Sequence, residues 1–254
     1  MAYEPEAPYA IRQFEIDVLI PIELFGVDMS FTTSAQAMVT TVVLVAVFML
    51  YGIKARAMVP GRLQTSVEAV YEFVARTVVK TAGPEAKPAI PFVFSLFVFI
   101  LFGSLLGLTP VKFTFTSHLV VTMALALTVF TYVNVLAVGK QGLGFFRFFL
   151  PAGTPMYLAP MLVFMEVISY LFRPVTLGVR IFANILAGHI MIKLFGDFNV
   201  MLIDALGFKG VAVTVFPVIL MVIFYAFEVM VFLIQSYIFI LITSLYIRDA
   251  LRGH

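Results

Sequence analysis

After Pro217 the chain runs to Ile247 without a glycine or a proline and with one charged residue, Glu228. Counted from Val211 this apolar segment is about 37 residues, and a continuous helix of that length measures about 55 Å, nearly twice the hydrocarbon thickness of a bilayer. Two spans joined by a turn would need Gly, Pro or polar punctuation, which the segment lacks. The remaining solution is a steeply tilted helix, held at its angle by protein rather than by lipid. A second long segment, from about Met161 to Phe195, precedes it. A linker carrying Gly196, Asp197, Asp204, Gly207 and Gly210 separates the two, so a hairpin over 161–247 is expected.

The rest of the chain agrees with a membrane setting. Of 254 residues 62% are apolar and 12% charged, with a mean hydropathy of +1.09; soluble domains have about 45–50% and about 25%. There is no cysteine, which excludes disulfides, thiolate metal sites and a cysteine nucleophile. The net charge of +2, with bases spread through loops, leaves no footprint for nucleic acid. P-loop, GxGxxG, HExxH and GxSxG patterns are all missing, so nucleotide hydrolysis, metalloprotease and serine-hydrolase chemistry lose their usual support. No cofactor and no metal is expected.

The sequence predicts an all-α integral membrane protein, a single membrane domain over 1–254. Residues 1–34 hold Glu4, Glu6, Glu15, Asp17, Glu23 and Asp28 against Arg12, without a signal-peptide stretch, and read as a mature start outside the membrane. Spans follow at Ala35 to Ile53, Pro91 to Leu108 and Ser117 to Val138, and the two long segments bring the crossings to five. Between the first two spans, Leu63, Val67, Val70, Tyr71, Val74 and Val78 recur at helical spacing, opposite Glu68, Glu72, Arg76 and Lys80. Residues 61–83 therefore read as an amphipathic helix at the membrane interface. Gly103 and Gly107 form a GxxxG pair, a common pattern that permits close helix packing. Pro60, Pro110, Arg147, Pro151, Gly153, Pro155 and Pro160 punctuate the loops. Six Lys and Arg from Lys54 to Lys87, including Arg56, place that loop inside, and Lys140, Arg248 and Arg252 agree. The N-terminus is then outside and the C-terminus inside.

Glu166, Arg173, Arg180, His189 and Glu228 interrupt the long segments, and a charge at mid-bilayer costs at least about 2.5–3.5 kcal/mol. Glu166, Arg173 and Arg180 are seven residues apart, on one stripe that drifts about 20° per step, with Asn184 about 40° further round. Glu228 and Gln235 make a second seven-residue pair. The stripe is a polar track with Glu166 toward the inside, Arg180 near the middle and His189 toward the outside. Glu and His exchange protons at accessible pH, whereas a guanidinium does not. A track blocked at its waist needs a moving carrier on another chain, such as a carboxylate, to take the proton around the block. Taken alone, Asn184 and Gln235 would read as interhelical hydrogen-bonding residues, His189 as a packing histidine, Arg173 as structural or interfacial, and His118 as a helix-start residue.

RPVTLGVRIFANILAGHI at 173–190, FEVMVFLIQSYIFILITSLYI at 227–247 and GLTPVKFTFTSHL at 107–119 resemble subunit a of the F-type ATP synthases, weakly before Pro91 and strongly after Glu166. The resemblance implies a non-enzymatic, proton-conducting stator with two offset half-channels. Arg180 would face carboxylates of a rotating c-ring and prevent leak. Asn184, His189 and Glu228 would form the entrance half-channel, Glu166 the exit, and Gln235 would lie beside Arg180. His189 and Glu228 are exchanged relative to many bacterial members, as in mitochondrial and alphaproteobacterial chains. Implied partners are the c-ring, the peripheral-stalk b subunits, the F1 ATPase indirectly, lipid and protons. The setting would be a bacterial inner membrane, with the mitochondrial inner membrane as the alternative. A proton-coupled secondary transporter or channel is the competing reading; broken helices and inverted repeats would favour it.

Overall fold

The computed structural model describes residues 16–24, 27–28, 30–54, 61–109, 114–142 and 158–252. Glu4, Glu6, Arg12, Glu15, Arg56, Pro60, Pro110, Arg147, Pro151, Gly153 and Pro155 lie outside them. Four short strands open the described chain: β1 (Val18–Ile20), β2 (Glu23–Leu24), β3 (Val27–Asp28) and β4 (Phe31–Thr32). β1 pairs antiparallel with β4 and β2 with β3, a small hairpin that the charge count over 1–34 did not anticipate. Helices follow: α1 (Thr33–Lys54), α2 (Arg62–Ala82), α3 (Ile90–Gly107), α4 (Leu119–Gln141), α5 (Ala159–Leu206), the short α6 (Phe208–Val213) and α7 (Val215–Arg252). Five helical stretches, containing α1, α3, α4, α5 and α7, are long and apolar enough to cross a membrane, as expected.

α2 forms where the apolar and charged positions separate. Val67, Val74, Val78 and Ala82 are buried, while Glu68, Glu72, Arg76 and Lys80 face out, with Glu72 and Arg76 paired at 2.5 Å one turn apart. Phe73 carries the apolar edge onto its neighbours, 6.0 Å from the ring of Phe97 in α3 and 5.6 Å from that of Tyr237 in α7.

α7 is the element around which the others pack, touching α2, α3, α4 and α5. Chain directions alternate. Tyr225 donates to the Leu108 carbonyl at 2.9 Å, which brings the last turn of α3 beside the first half of α7. Gln141 donates to the Ala250 carbonyl at 2.7 Å, tying the C-terminal ends of α4 and α7. The Tyr170 hydroxyl donates to Asn134 Oδ1 at 2.7 Å, joining the first turns of α5 to the second half of α4. These contacts fit the up-and-down order that the loop charges require.

The hairpin departs from the expected segment boundary. α5 does not stop at Phe195; it continues through Gly196, Asp197 and Asp204 for 48 residues in all, about 72 Å, before breaking at Gly207. A lone glycine costs a helix about 1 kcal/mol relative to alanine, which neighbouring turns absorb. Gly207 is different, because its φ of 56° is left-handed and ends the helix. Pro174 sits inside α5, where its ring removes the bond to the Tyr170 carbonyl and gives the helix a place to bend.

The GxxxG pair has a use other than helix packing. A Cβ at Gly103 would collide with the Phe115 ring, and one at Gly107 with the Thr114 side chain. Both glycines thus make room for the turn Thr114–Ser117, which folds back onto α3 and is buried throughout. Overpacking such a site costs about 1–3 kcal/mol. Gly103→Val is therefore expected to cut the yield of monodisperse, detergent-extracted protein several-fold. Gly139→Ala, at a helical glycine with open space around it, leaves the yield unchanged or improves it, and size-exclusion chromatography of both reads the difference.

Candidate functional site: a polar seam between two long helices

α5 and α7 run antiparallel, and their contacts form a ladder. From one end to the other it reads Arg173 with Asp249, Asn184 with Gln235, His189 with Glu228 and Phe195 with Phe224. From Arg173 to Phe195 is 22 residues, about 33 Å of helix and comparable to a bilayer's hydrocarbon.

The rung of His189 and Glu228 is the most buried. His189 is 7% exposed and Glu228 3%, with His189 Nδ1 3.7 Å from Glu228 Oε1. Gly188 makes this approach possible, since a Cβ there would lie 2.6 Å from Glu228 Oε1. The other ring nitrogen, Nε2, is 3.1 Å from the Thr114 hydroxyl, and the Phe232 ring lies 6.1 Å away. In the middle, Asn184 donates to Gln235 Oε1 at 2.9 Å. A cavity of about 420 Å³ opens beside these two rungs, lined by Asn184, Ala187, Gly188, Met191, Glu228 and Gln235 among others.

At the Arg173 end the ladder closes in an ion cluster. Arg173 Nη2 is 3.9 Å from Glu166 Oε1, and Nη1 is 3.9 Å from Asp249 Oδ2. The guanidinium lies over the rings of Tyr170 and Tyr246, at 5.1 and 5.3 Å from their centroids. Arg248 also reaches Asp249, at 3.3 Å.

Arg180 stands apart. It shares the stripe of Glu166 and Arg173 and, like Arg173, acts electrostatically on Tyr246 of α7, but it is exposed and, among the described residues, forms no ion pair. Its exposed neighbours on that face of α5 are Thr176, Ala183, Asn184 and Ala187. Gln235 bonds Asn184, one turn from Arg180. His118 is the residue before α4, as expected of a helix-start position. Among the described residues no group of acids and histidines could hold a metal ion.

Sequence reasoning missed Asp249 and Thr114. The register joining Glu228 to Gln235 reaches Asp249 when continued by two further heptads, a signal that was available. Thr114 had none, because its contact with His189 spans 75 residues of chain. Removing Arg173 leaves two half-buried acids without their shared cation, a loss of about 1–3 kcal/mol after discounting for their partial exposure and long distances. Arg173→Ala is expected to lower Tm in detergent by several degrees, and Arg173→Lys to restore part of it, since an ammonium pairs but stacks poorly between two tyrosines.

A family model described as ATP synthase A chain matches residues 35–248. The ATP synthase subunit a of Parvibaculum lavamentivorans is 44% identical over 245 residues, which are 96% of this chain and 94% of that protein. That of Mesorhizobium japonicum is 46% identical over 242 residues, 95% and 96% of the two chains. That of Chelativorans sp. is 47% identical over 245 residues, 96% and 98% of the two.

Proposed function

Since the chain belongs to the ATP synthase A chain family, we propose that it is the stationary membrane subunit that passes protons to and from the rotor of an ATP synthase. It carries no catalysis of its own. The observation that supports this reading best is the exposed Arg180, set between a buried acid and histidine on one side and an ion cluster on the other. A permanent cation on an outward helix face within the hydrocarbon is tolerated when an anion from another chain meets it. Its small neighbours Ala183 and Ala187 let that chain approach closely. The carboxylates of a rotating c-ring supply such an anion.

In this mechanism a proton enters from outside along the seam, reaches Glu228 and His189, and passes by Asn184 to a carboxylate of the ring. Neutralised, that carboxylate leaves Arg180 and turns into lipid. One arriving from the other side gives up its proton toward Glu166, the acid of the exit half-channel, and then meets Arg180. Gln235 orients Asn184 beside the arginine. Arg180 releases no proton, so protons reach the far side only with the ring. One charge crossing 100 mV yields about 2.3 kcal/mol, so several protons are needed per ATP.

α2 lies at the inner membrane interface. The b subunits of a peripheral stalk hold the chain against the ring, F1 is engaged indirectly, and the complex resides in a bacterial inner membrane. Copurification tests the assignment. A tagged chain is expected to bring down a ring-forming subunit and a peripheral ATPase. A chain that purifies alone and transports protons alone after reconstitution contradicts it and favours a secondary transporter.

A further inference from the structure

We propose that Thr114 is a positioning residue that keeps the Nδ1 edge of His189 on Glu228, a reading that rests on the function proposed above. The turn carrying Thr114 is fixed on three sides. The Thr114 side chain fills the space left by Gly107, and Phe115 fills that left by Gly103 and lies 5.2 Å from the Phe99 ring. Ser117 donates to the Thr114 carbonyl from its hydroxyl at 2.6 Å and from its backbone N–H at 3.1 Å. The hydroxyl therefore meets His189 Nε2 from a rigid support, 8% exposed, rather than from a loose loop.

The two ring nitrogens of His189 thus face two different elements, Thr114 through Nε2 and Glu228 on α7 through Nδ1. Which nitrogen of an imidazole carries the proton is set by the bond that the other makes. In the tautomer whose Nε2–H is donated to the threonine oxygen, neutral His189 presents a lone pair at Nδ1. A proton leaving Glu228 Oε1 then forms the Nδ1–H bond, giving imidazolium and carboxylate, and the reverse step returns it. Neither step requires the ring to flip, and Nε2–H stays bonded in both states. The 3.7 Å between Nδ1 and Oε1 is longer than a hydrogen bond, so transfer needs a closer approach or one bridging water. Either requires the ring to hold its aim. Without the hydroxyl the ring turns about χ2 or exchanges tautomers, and the productive arrangement is populated only part of the time.

The test uses ATP-driven acidification of inverted vesicles carrying the whole complex, with assembly followed by copurification. Thr114→Val keeps the shape and removes the hydroxyl, and is expected to lower pumping at least about fivefold. Thr114→Ser keeps the hydroxyl and is expected to stay within about twofold of the unaltered protein. Wild-type pumping by Thr114→Val overturns the proposal. So does an equal loss in Thr114→Ser, which would make the contact one of packing against Gly107. Should Thr114→Val not assemble, Thr114→Ala, which only removes atoms, carries the same expectation against Thr114→Ser. Glu228→Gln is measured alongside: its loss of pumping with normal Thr114→Val removes only the role of Thr114, whereas wild-type pumping by Glu228→Gln overturns the reading of the site itself.

Discussion

Arg180→Ala is expected to abolish ATP-driven acidification of inverted vesicles, at least about a hundredfold below the unaltered complex, while the complex still assembles. Assembly survives because Arg180 is exposed and forms no hydrogen bond or ion pair with another described residue, so truncating it removes only an electrostatic interaction with Tyr246 of α7. Pumping is lost because a ring carboxylate no longer meets a fixed cation and has no reason to ionise opposite the seam. Arg180→Lys should recover little. An ammonium keeps the charge in water, but its pKa falls readily when it is desolvated, so it can surrender the proton that the guanidinium withholds. A pH-sensitive dye reports the acidification, and copurification of the partners checks assembly.

The second large effect is at Glu228. Glu228→Gln keeps the volume of a side chain packed against Gly188 and removes the only carboxyl beside His189 Nδ1 among the described residues. A neutral amide at 3% exposure is cheaper to bury than a carboxylate, so the hairpin should be no less stable. Pumping and ATP synthesis should both fall at least tenfold, because the entrance side then has no acid to exchange with the histidine. Preserved thermal stability together with lost transport distinguishes this outcome from a packing defect. Gly188→Val should lose both, since its branched side chain would occupy the space of the Glu228 carboxyl.

Much of the fold was legible in the chain because a bilayer imposes simple rules. Uninterrupted apolar stretches gave the five crossings, and the separation of Val67, Val74 and Val78 from Glu68, Glu72 and Arg76 gave α2. The hairpin boundary was not legible. Gly196 and Asp197 look like punctuation, yet of the glycines described between the two long segments it is Gly207 that adopts a backbone angle that a helix refuses. The polar track was readable one helix at a time. Seven-residue spacing placed Glu228 and Gln235 on one face of α7, and the structure brings them to His189 and Asn184. The spacing of Arg173 and Arg180 puts both cations within electrostatic reach of Tyr246 on α7, but spacing alone does not tell that Arg173 pairs with Glu166 and Asp249 while Arg180 stays exposed. Thr114 and the purpose of Gly103 and Gly107 depend on a turn folding back across α3, which no local pattern announces.

If Arg180 separates two proton paths, one of which runs through Glu228, the passive proton permeability of vesicles stripped of the peripheral ATPase should show it, with Arg180→Ala alone and combined with Glu228→Gln. Arg180→Ala is expected to leak several-fold faster than the unaltered protein and the double variant to return to the unaltered level, because the unblocked route still needs its carboxyl. An unchanged leak in Arg180→Ala, or an equal leak in the double variant, would show that Arg180 is no barrier between them.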